Sequence, residues 1–201
     1  YIGISDTPAW QASRMQVMAE LRGWSPLVAL QIPYSLAERT VDRELLPMAR
    51  EMGMGVLPWS PLAGGILAGK YDESDLESSA GSGGGGLDTR KAINLATGRL
   101  TSRTLAIAAQ VTEVAQELDC QPAQVALAWT LLNPAVTSTI IGVRTLAQLE
   151  DNLGALDVKL TDEQVRRLDE ASRIDPGFPH DLLGSPVARE MFGAVDIEPR
   201  R

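Results

Sequence analysis

The sequence predicts an α/β fold in which parallel strands alternate with helices. Along most of the 201 residues, short apolar runs typical of strands are followed by longer segments with helical periodicity. No two strand-like runs are joined by a hairpin turn signal, which disfavours an antiparallel sheet. Parallel strands need a crossover between them, so the alternation predicts repeated β-α-β units.

The first unit begins at the first residues of the chain. Ile2–Ser5 is a short apolar strand, and residues 9–21 have the periodicity of an amphipathic helix. Thr7 is predicted as the N-cap of this helix and Pro8 as its first residue, because proline lacks the N–H that this position leaves unpaired. Gly23 is predicted to end the helix.

The second unit has the same order, and a long interruption comes after the next strand. Residues 27–31 are strand-like and residues 41–52 are helical, with Gly53 as a left-handed stop. Residues 55–58 form the next strand. The alternation then breaks over residues 72–100, which we predict to be a flexible loop.

The interruption contains a glycine-rich stretch, GSGGGG, at residues 81–86. It fits the pattern G-x-G-x-x-G of dinucleotide-binding turns. That pattern is informative only between a strand and a helix, whereas no strand precedes this stretch and no helix opens directly from it. We therefore interpret it as part of the loop.

The C-terminal part of the chain resumes the alternation. Pro122 is predicted at the first position of a helix. Thr161 and Gln164 have the spacing of a capping box, which predicts the start of the final helix. The other predictions are helices over residues 103–118, 122–132 and 145–153, and a last strand over residues 137–141.

Composition and charge argue against several classes of protein. The 26 acidic and 18 basic residues give a formal charge of −8, which disfavours non-specific binding to nucleic acid. No apolar run is long enough to span a membrane. Cys120 is the single cysteine, so it has no partner for a disulfide or a metal site and fits a reducing compartment. We therefore expect a cytoplasmic protein that binds no nucleic acid, membrane or metal.

Four segments carry a resemblance to a known family. They are YIGISD (1–6), QIPYSL (31–36), WSPLAGGILAGKY (59–71) and IIGVRTLAQLEDN (140–152). In this order and spacing they closely resemble the aldo-keto reductase superfamily, over residues 1–173. The resemblance implies the (β/α)8 TIM-barrel fold, of which this chain is similar to the last four β/α units plus a C-terminal helix, with residues 174–201 as a tail.

The same resemblance implies that the catalytic residues of the family lie outside this chain. In the family, an Asp, a Tyr, a Lys and a His come from the first four strands, and Ile2–Ser5 resembles the fifth. His180 follows the last barrel element, so it does not match the family histidine and is expected to be a surface or capping residue. No catalytic residue is therefore assigned.

Length supports the same interpretation independently. A complete barrel needs about 250 residues, whereas this chain has 201 and begins without Met or a signal peptide. We therefore expect a truncated chain whose missing partner is the N-terminal half of the barrel. Such a fragment is expected to be inactive alone, because two strand edges would be unpaired.

The resemblance implies a nicotinamide-binding role for three residues at strand ends. Ser5, Asp6 and Gln31 occupy the positions that hold the carboxamide in the family. Asp6 departs from the commoner Asn, and a carboxylate accepts hydrogen bonds but does not donate them. The alternatives are a hydroxyl turn at Ser5 and an ordinary polar strand end at Gln31.

The segment WSPLAGGILAGKY is predicted to hold the next part of the cofactor. Trp59 matches the aromatic residue that stacks on the nicotinamide in the family, and its flat ring costs little entropy to fix. The following turn would direct backbone N–H groups at the pyrophosphate, with a lysine as a charge partner. The residues of this turn are Ser60, Pro61, Leu62, Gly64, Gly65 and Lys70.

A second corner is predicted to hold the adenosine end. Arg144 matches a residue whose guanidinium binds the 2′-phosphate, which implies a preference for NADP(H) over NAD(H). The alternative is that Arg144 is a solvated surface residue and that Thr145 and Gln148 are only a helix cap. The remaining candidates of this corner are Gly142, Gln148, Asp151 and Asn152.

The closest subgroup resemblance is to bacterial aldo-keto reductases and potassium-channel β subunits. It implies a reductase that converts an aldehyde or ketone to an alcohol with NADPH, and the small carbonyl compound is its expected partner. The alternative functions are a redox-sensing regulatory subunit and an inactive fragment. The sequence leaves open whether the protein forms a homo-oligomer. The loop over residues 72–100 is a candidate active-site lid. The tail, residues 174–201, is expected to pack on the exterior of the barrel or to lie over its mouth.

Overall fold

The computed structural model describes residues 1–77 and 89–191. Three parallel strands, β1 (Ile2–Ser5), β2 (Leu27–Pro33) and β3 (Gly55–Trp59), lie side by side in chain order. A helix, α1 (Ala9–Arg22), crosses from β1 to β2, and α2 (Leu45–Glu51) precedes β3. The predicted α/β class and parallel pairing are therefore confirmed.

The start of α1 differs from the prediction. Pro8 has extended backbone angles (φ −56°, ψ 143°) and is the N-cap, so the helix begins at Ala9. The Thr7 hydroxyl donates to the backbone oxygen of Ser5 at 3.0 Å, so it does not cap the helix. The predicted end is confirmed, because Gly23 has a left-handed conformation with a φ of 65°.

The helix predicted over residues 41–52 is interrupted. A 3-10 turn covers Thr40–Asp42, and α2 begins only at Leu45 because Glu44 has a non-helical backbone (φ −137°, ψ −42°). The Arg43 guanidinium between them donates to the backbone oxygen of Asp175 at 3.1 Å. A long-range contact with the C-terminal segment therefore accompanies the break.

The strand predicted over residues 137–141 is wrong as a regular strand. Val136 forms one parallel bridge with Val56. The N–H groups of Thr137 and Ser138 both donate to the Val56 oxygen, and Ile140 donates to the Pro58 oxygen at 2.8 Å. The shared acceptor disturbs the ladder, so the segment runs along β3 without forming a regular strand.

Helices cover the sheet and account for most of the remaining chain. Thr101 and Thr161 both form capping boxes, the second as predicted. Pro122 begins its helix, also as predicted. The α-helices after β3 are α3 (Glu73–Glu77), α4 (Arg90–Ala96), α5 (Ser102–Glu117), α6 (Pro122–Leu131), α7 (Leu146–Leu153), α8 (Asp162–Ser172), α9 (His180–Leu183) and α10 (Pro186–Met191), with 3-10 helices at Ala63–Ala68 and Gly154–Leu156.

The predicted loop over residues 72–100 is partly helical. It contains α3 and α4, and α4 begins with Thr89 as an N-cap that accepts a hydrogen bond from the Ala92 N–H at 3.2 Å. The glycine-rich residues 81–86 lie outside the described residues. Asn94 of α4 is buried and donates a hydrogen bond to the backbone oxygen of Gly64, a contact between distant residues that the local sequence does not reveal.

The hydrophobic core lies between the sheet and helices α5 and α6. Leu30 and Val56 from the strands are fully buried, as are Val111 and Val125 from the helices. None of the helices in the described ranges has the length and apolarity needed to cross a membrane. The core therefore fixes the sheet whose carboxyl edge carries the candidate site.

Large apolar side chains are exposed at both lateral ends of the described structure. At the β1 end they include Ile2, Trp10 and Trp24, and at the opposite end they include Leu132 and Leu146. Apolar side chains exposed in this way are available for contact with further polypeptide.

The C-terminal segment packs at the carboxyl side of the sheet. Besides the contact between Arg43 and Asp175, Nε2 of His180 lies 3.5 Å from a carboxylate oxygen of Glu44. Both contacts are made close to the N-terminal end of α2. His180 is partly exposed.

Candidate functional site

The carboxyl ends of the three strands bring the predicted nicotinamide residues together. Ser5 lies opposite Gln31 in the register of β1 and β2, and Pro33 lies opposite Trp59 in that of β2 and β3. The Ser5 hydroxyl donates to the backbone oxygen of Gln31 at 3.0 Å. The Asp6 N–H donates to the same oxygen at 3.2 Å. These residues therefore form one cluster at one edge of the sheet.

The Trp59 ring is held at its edge by Asp6. The indole N–H of Trp59 donates to a carboxylate oxygen of Asp6 at 3.1 Å. Asp6 is placed for this bond by a left-handed backbone with a φ of 47°, which is uncommon for a residue with a side chain. Asp6 therefore has a contact within the chain that the sequence did not indicate, and its second carboxylate oxygen has no hydrogen-bond partner among the described residues.

A tight turn follows Trp59 and contains several left-handed residues. Ser60 and Ala63 have φ values of 54° and 49°, and Gly64 and Gly65 have values of 68° and 93°. Residues with side chains adopt this region at a cost, so two of the four positions are strained. The turn overlaps the start of the 3-10 helix Ala63–Ala68, in which Ala63, Ile66 and Leu67 are buried.

Backbone N–H groups of this turn divide into free and occupied ones. Among the residues that the structure describes, none accepts a hydrogen bond from the N–H of Ser60, Leu62 or Gly64. The N–H of Gly65 donates to the Leu62 oxygen at 2.9 Å. The backbone N–H that Gly65 is predicted to direct at a phosphate is therefore used inside the turn, and the unpaired N–H groups are those of the other three residues.

Asn94, on helix α4, anchors the glycine turn. Its side-chain amide donates to the backbone oxygen of Gly64 at 3.2 Å, and the residue is completely buried. A Cβ atom on Gly64 would meet the Asn94 carbonyl oxygen in a severe clash. That oxygen has no hydrogen-bond partner among the described atoms. Glycine at position 64 is therefore required by both its φ and its neighbour.

Two cations lie beside the turn. Lys70 is exposed, and its Cδ atom is 4.0 Å from the place that a Cβ of Gly65 would take. The guanidinium carbon of Arg99 lies 5.6 Å from the centroid of the Trp59 ring. Lys70 was predicted for this site and Arg99 was not.

The second corner lies at the same edge of the sheet as the end of β3. The bond from the Ile140 N–H to the Pro58 oxygen brings the chain there just before Arg144. Arg144 is exposed, and its backbone N–H donates to the side-chain oxygen of Gln148 at 2.9 Å. The Thr145 hydroxyl accepts from the Gln148 N–H at 3.2 Å. The capping alternative for Gln148 is therefore present.

The other candidates of this corner are mostly exposed. Gly142 has no atom within 4 Å of an added Cβ. The backbone oxygen of Asp151 accepts from the Gln124 side-chain amide at 2.7 Å, which fixes the far end of α7. Asn152 is partly buried, and Asp151 has an exposed side chain. The side chains that would face an adenosine are thus available to a ligand.

The arrangement fits a flat ligand that carries anionic groups. It provides an aromatic wall at Trp59, unpaired N–H groups in the adjoining turn, and cations at Lys70, Arg99 and Arg144. Backbone N–H groups in such turns bind phosphate oxygens. The geometry therefore supports the binding of such a ligand.

Comparison with known proteins decides the family. The sequence profile described as the aldo/keto reductase family matches residues 1–173. The chain belongs to this family. The predicted resemblance is therefore confirmed, and membership of the family implies a (β/α)8 barrel fold.

The aldo/keto reductase chain is similar to several curated proteins. It is 41% identical over 85% of its length to an uncharacterized oxidoreductase, YrpG, of Bacillus subtilis, covering 48% of that protein. It is 34% identical over 93% of its length to norsolorinic acid reductase B of Aspergillus parasiticus, covering 46%. It is 30% identical over 94% of its length to a probable aryl-alcohol dehydrogenase, AAD4, of Saccharomyces cerevisiae, covering 55% of that protein. The chain spans about half the length of these relatives.

A groove of about 810 Å³ lies elsewhere on this aldo/keto reductase chain, between α8 and the segment after β2. Its arginine Arg39 is already paired with Asp42 and Asp169, at 2.7 and 2.8 Å. Nearby, burial and the negative charge of Asp42 raise the pKa of the Tyr34 phenol to about 12. The paired charges make this groove part of the packing of the C-terminal helices, and the strand ends remain the candidate site.

Sequence reasoning missed Asn94 and Arg99 for a physical reason. Both belong to the stretch predicted as loop, and the contact of Asn94 with Gly64 joins residues 30 positions apart. Gly98, with a φ of 66°, ends α4 and precedes Arg99, but no motif marks either residue. The family pattern in residues 59–71 predicts the turn, but it does not predict that the Asn94 side chain holds this turn in place.

Proposed function

We propose that the intact protein is an NADPH-dependent aldo/keto reductase and that this chain supplies most of the cofactor-binding surface. The observation that carries the proposal is the cluster at the strand ends. There the Trp59 ring is fixed by Asp6, next to a turn with unpaired N–H groups. The names of the relatives, which include oxidoreductases and reductases, support the same function.

The residues of the cluster fit the parts of a nicotinamide dinucleotide in order. The nicotinamide would stack on Trp59, with Ser5, Gln31 and the second oxygen of Asp6 around its carboxamide. The pyrophosphate would accept from the N–H groups of the turn, which already lack partners within the described residues. The misfit is small, because only the Gly65 N–H among the predicted donors is occupied.

The adenosine end would lie on the second corner. The exposed Arg144 guanidinium would bind the 2′-phosphate of NADPH through two charge-assisted hydrogen bonds. Its backbone N–H is used by Gln148, but the guanidinium has no ion-pair partner in the described part of the chain. The proposed preference for NADPH over NADH depends on this contact.

In the proposed reaction, bound NADPH would supply a hydride to the carbonyl carbon of an aldehyde or ketone. The residues of this chain would hold the nicotinamide flat and leave one of its faces open to the substrate. Following the family pattern, the proton donor would come from the first four strands of the barrel. The exposed apolar ends of this chain fit packing against those units.

Fluorescence titration of the purified protein with NADPH, and in parallel with NADH, tests the cofactor part of the proposal. We expect saturable binding that favours NADPH and quenches tryptophan emission. Absence of saturable binding by the full-length protein would overturn the cofactor assignment. The titration is repeated with the 201-residue chain to show how much of the affinity resides in this part.

Carbonyl-dependent oxidation of NADPH tests the reaction. An aryl aldehyde is a suitable first probe, because the yeast relative is named an aryl-alcohol dehydrogenase. We expect the full-length protein to consume NADPH and the 201-residue chain alone to be inactive, since no catalytic residue is assigned to it. Tight NADPH binding without turnover of any aldehyde or ketone would instead favour the regulatory alternative.

A further inference from the structure

Arg99 is a partly buried cation that pairs with no carboxylate among the described residues. Its guanidinium lies 5.6 Å from the centroid of the Trp59 ring. None of the ion pairs within the described residues includes it. Partial burial of a charge is unfavourable unless another group compensates it, and a ring face compensates it only in part.

Arg103 and Arg39, which lie near Arg99 in the chain or share its contact with a tryptophan ring, both donate to oxygen atoms within the protein. Arg103 donates to the backbone oxygens of Ser172 and Arg173, at 3.0 and 3.2 Å. Arg39 also lies over a tryptophan ring, yet it is paired with two carboxylates. Within the described part of the chain, the Arg99 guanidinium has the ring contact alone, so its N–H donors are available to a ligand.

The backbone of Arg99 is tied to the glycine turn. The backbone N–H of Arg99 donates to the backbone oxygen of Asn94 at 2.8 Å, and the side-chain amide of Asn94 donates to the backbone oxygen of Gly64. On the other side, the Thr104 hydroxyl donates to the Arg99 oxygen at 2.8 Å. The guanidinium therefore extends from a fixed base, beside both Trp59 and the turn.

We propose that Arg99 binds the pyrophosphate of the nicotinamide dinucleotide, an inference that rests on the proposed function. The contact with the Trp59 ring holds the guanidinium beside the turn, and its N–H groups, which are unpaired within the described residues, would donate to two phosphate oxygens. The unpaired N–H groups of Leu62 and Gly64 and the side chain of Lys70 lie at the same turn. Trp59 would then contact the nicotinamide and also orient the arginine that binds the adjacent phosphates.

Equilibrium titration of the full-length Arg99→Gln variant tests this inference. We expect its dissociation constant for NADPH to rise roughly 10- to 100-fold, because a charge-assisted contact is lost. Adenosine 2′-monophosphate, which carries the 2′-phosphate and no pyrophosphate, is expected to bind as it does to the wild type. Arg99→Lys keeps the positive charge but lacks the paired N–H groups of a guanidinium. Its dissociation constant for NADPH is expected to lie between those of the wild type and Arg99→Gln.

Arg50→Gln is the matched control, since it removes the same charge from the last turn of α2, at the opposite edge of the sheet. It is expected to bind NADPH as the wild type does. The inference is overturned if Arg99→Gln keeps wild-type affinity for NADPH, or if it loses affinity for both nucleotides equally, as general damage to the fold would cause. It is also overturned if the only effect of Arg99→Gln is a loss of activity toward carbonyl substrates that carry a carboxylate. Failure of the wild type itself to bind NADPH overturns the proposed function and this inference together.

Discussion

The two corners of the candidate site differ in how the chain holds them. The corner after Trp59 is tied to other parts of the molecule, by Asp6 at the ring and by Asn94 at Gly64. The corner at Arg144 leads into α7, a helix with no buried side chain. Its contacts are mostly local, through Thr145 and Gln148.

This difference separates two ways of making a nucleotide site. The first corner is built before any ligand arrives, so its residues contribute to the stability of the fold as well as to binding. The second presents exposed side chains, so its contribution to affinity comes from contacts that the ligand itself makes. Changes to the buried contact between Asn94 and Gly64 in the first corner should therefore lower stability most, whereas changes to the exposed ligand-facing side chain of Arg144 in the second should lower affinity alone.

Substitution of Gly64 is expected to have the largest effect. Gly64→Ala adds a Cβ against the buried Asn94 at a φ of 68°. Backbone strain and overpacking together should lower the free energy of unfolding by roughly 2–4 kcal/mol. Urea denaturation followed by circular dichroism measures the change.

Two other glycines serve as controls for this substitution. Gly98 has a φ of 66° and no atom within 4 Å of an added Cβ, so Gly98→Ala should cost only the strain, about 1 kcal/mol. Gly142, in the second corner, has neither constraint, and Gly142→Ala should leave the unfolding curve unchanged. Equal losses in Gly64→Ala and Gly98→Ala would show that Asn94 does not fix the turn.

The second-largest effect is expected at Arg144, on binding alone. Arg144→Ala should reduce the preference for NADPH over NADH by about 1.5–3 kcal/mol, the cost of a charge-assisted contact. Its midpoint of urea denaturation should match the wild type, because the side chain is exposed and unpaired within the described residues. An unchanged ratio of NADPH to NADH affinity would refute the assignment of the 2′-phosphate to this corner.

A smaller effect is expected at Asp6, on both binding and ring mobility. Asp6→Ala leaves the Trp59 indole N–H without its acceptor, so NADPH affinity should fall by about 1 kcal/mol. Asp6→Asn retains an acceptor oxygen and should bind nearly as tightly as the wild type. Titration of both variants measures this, and equal affinities of Asp6→Ala and the wild type would show that the ring needs no anchor.

The smallest effect is expected at the cap of α7. Thr145→Ala removes the acceptor of the Gln148 N–H and should lower the free energy of unfolding by about 0.5–1 kcal/mol. Thr161→Ala removes the corresponding cap of α8, which packs against α5, and should cost more. Denaturation curves of the two variants, measured side by side, check the order. The reverse order would mean that α7 is held more firmly than its exposure indicates.

Local signals in the sequence predicted most of the elements correctly. The capping box at Thr161, the proline at the start of α6 and the left-handed Gly23 each act within a few residues. The parallel pairing followed from the alternation of strands and helices. Such features depend on neighbours along the chain, which a sequence displays directly.

Contacts between distant residues explain what the sequence did not predict. The bond between Asp6 and Trp59 joins positions 53 residues apart, so no local pattern announces it. The irregular segment after Val136 depends on two N–H groups that share one acceptor on β3. The family resemblance indicated the segment that contains the turn, but it did not reveal that Gly65 uses its own backbone N–H inside the turn.

The anchor between Asn94 and Gly64 also links events on the two sides of the bond. Helix α4 and the glycine turn share a buried contact, so the two are thermodynamically coupled. By reciprocity, a nucleotide that binds the turn more tightly when α4 is docked must also hold α4 in place more firmly. Amide hydrogen exchange in residues 90–96 would then slow as the cofactor concentration rises, although the helix lies beside the site and supplies none of the predicted contacts.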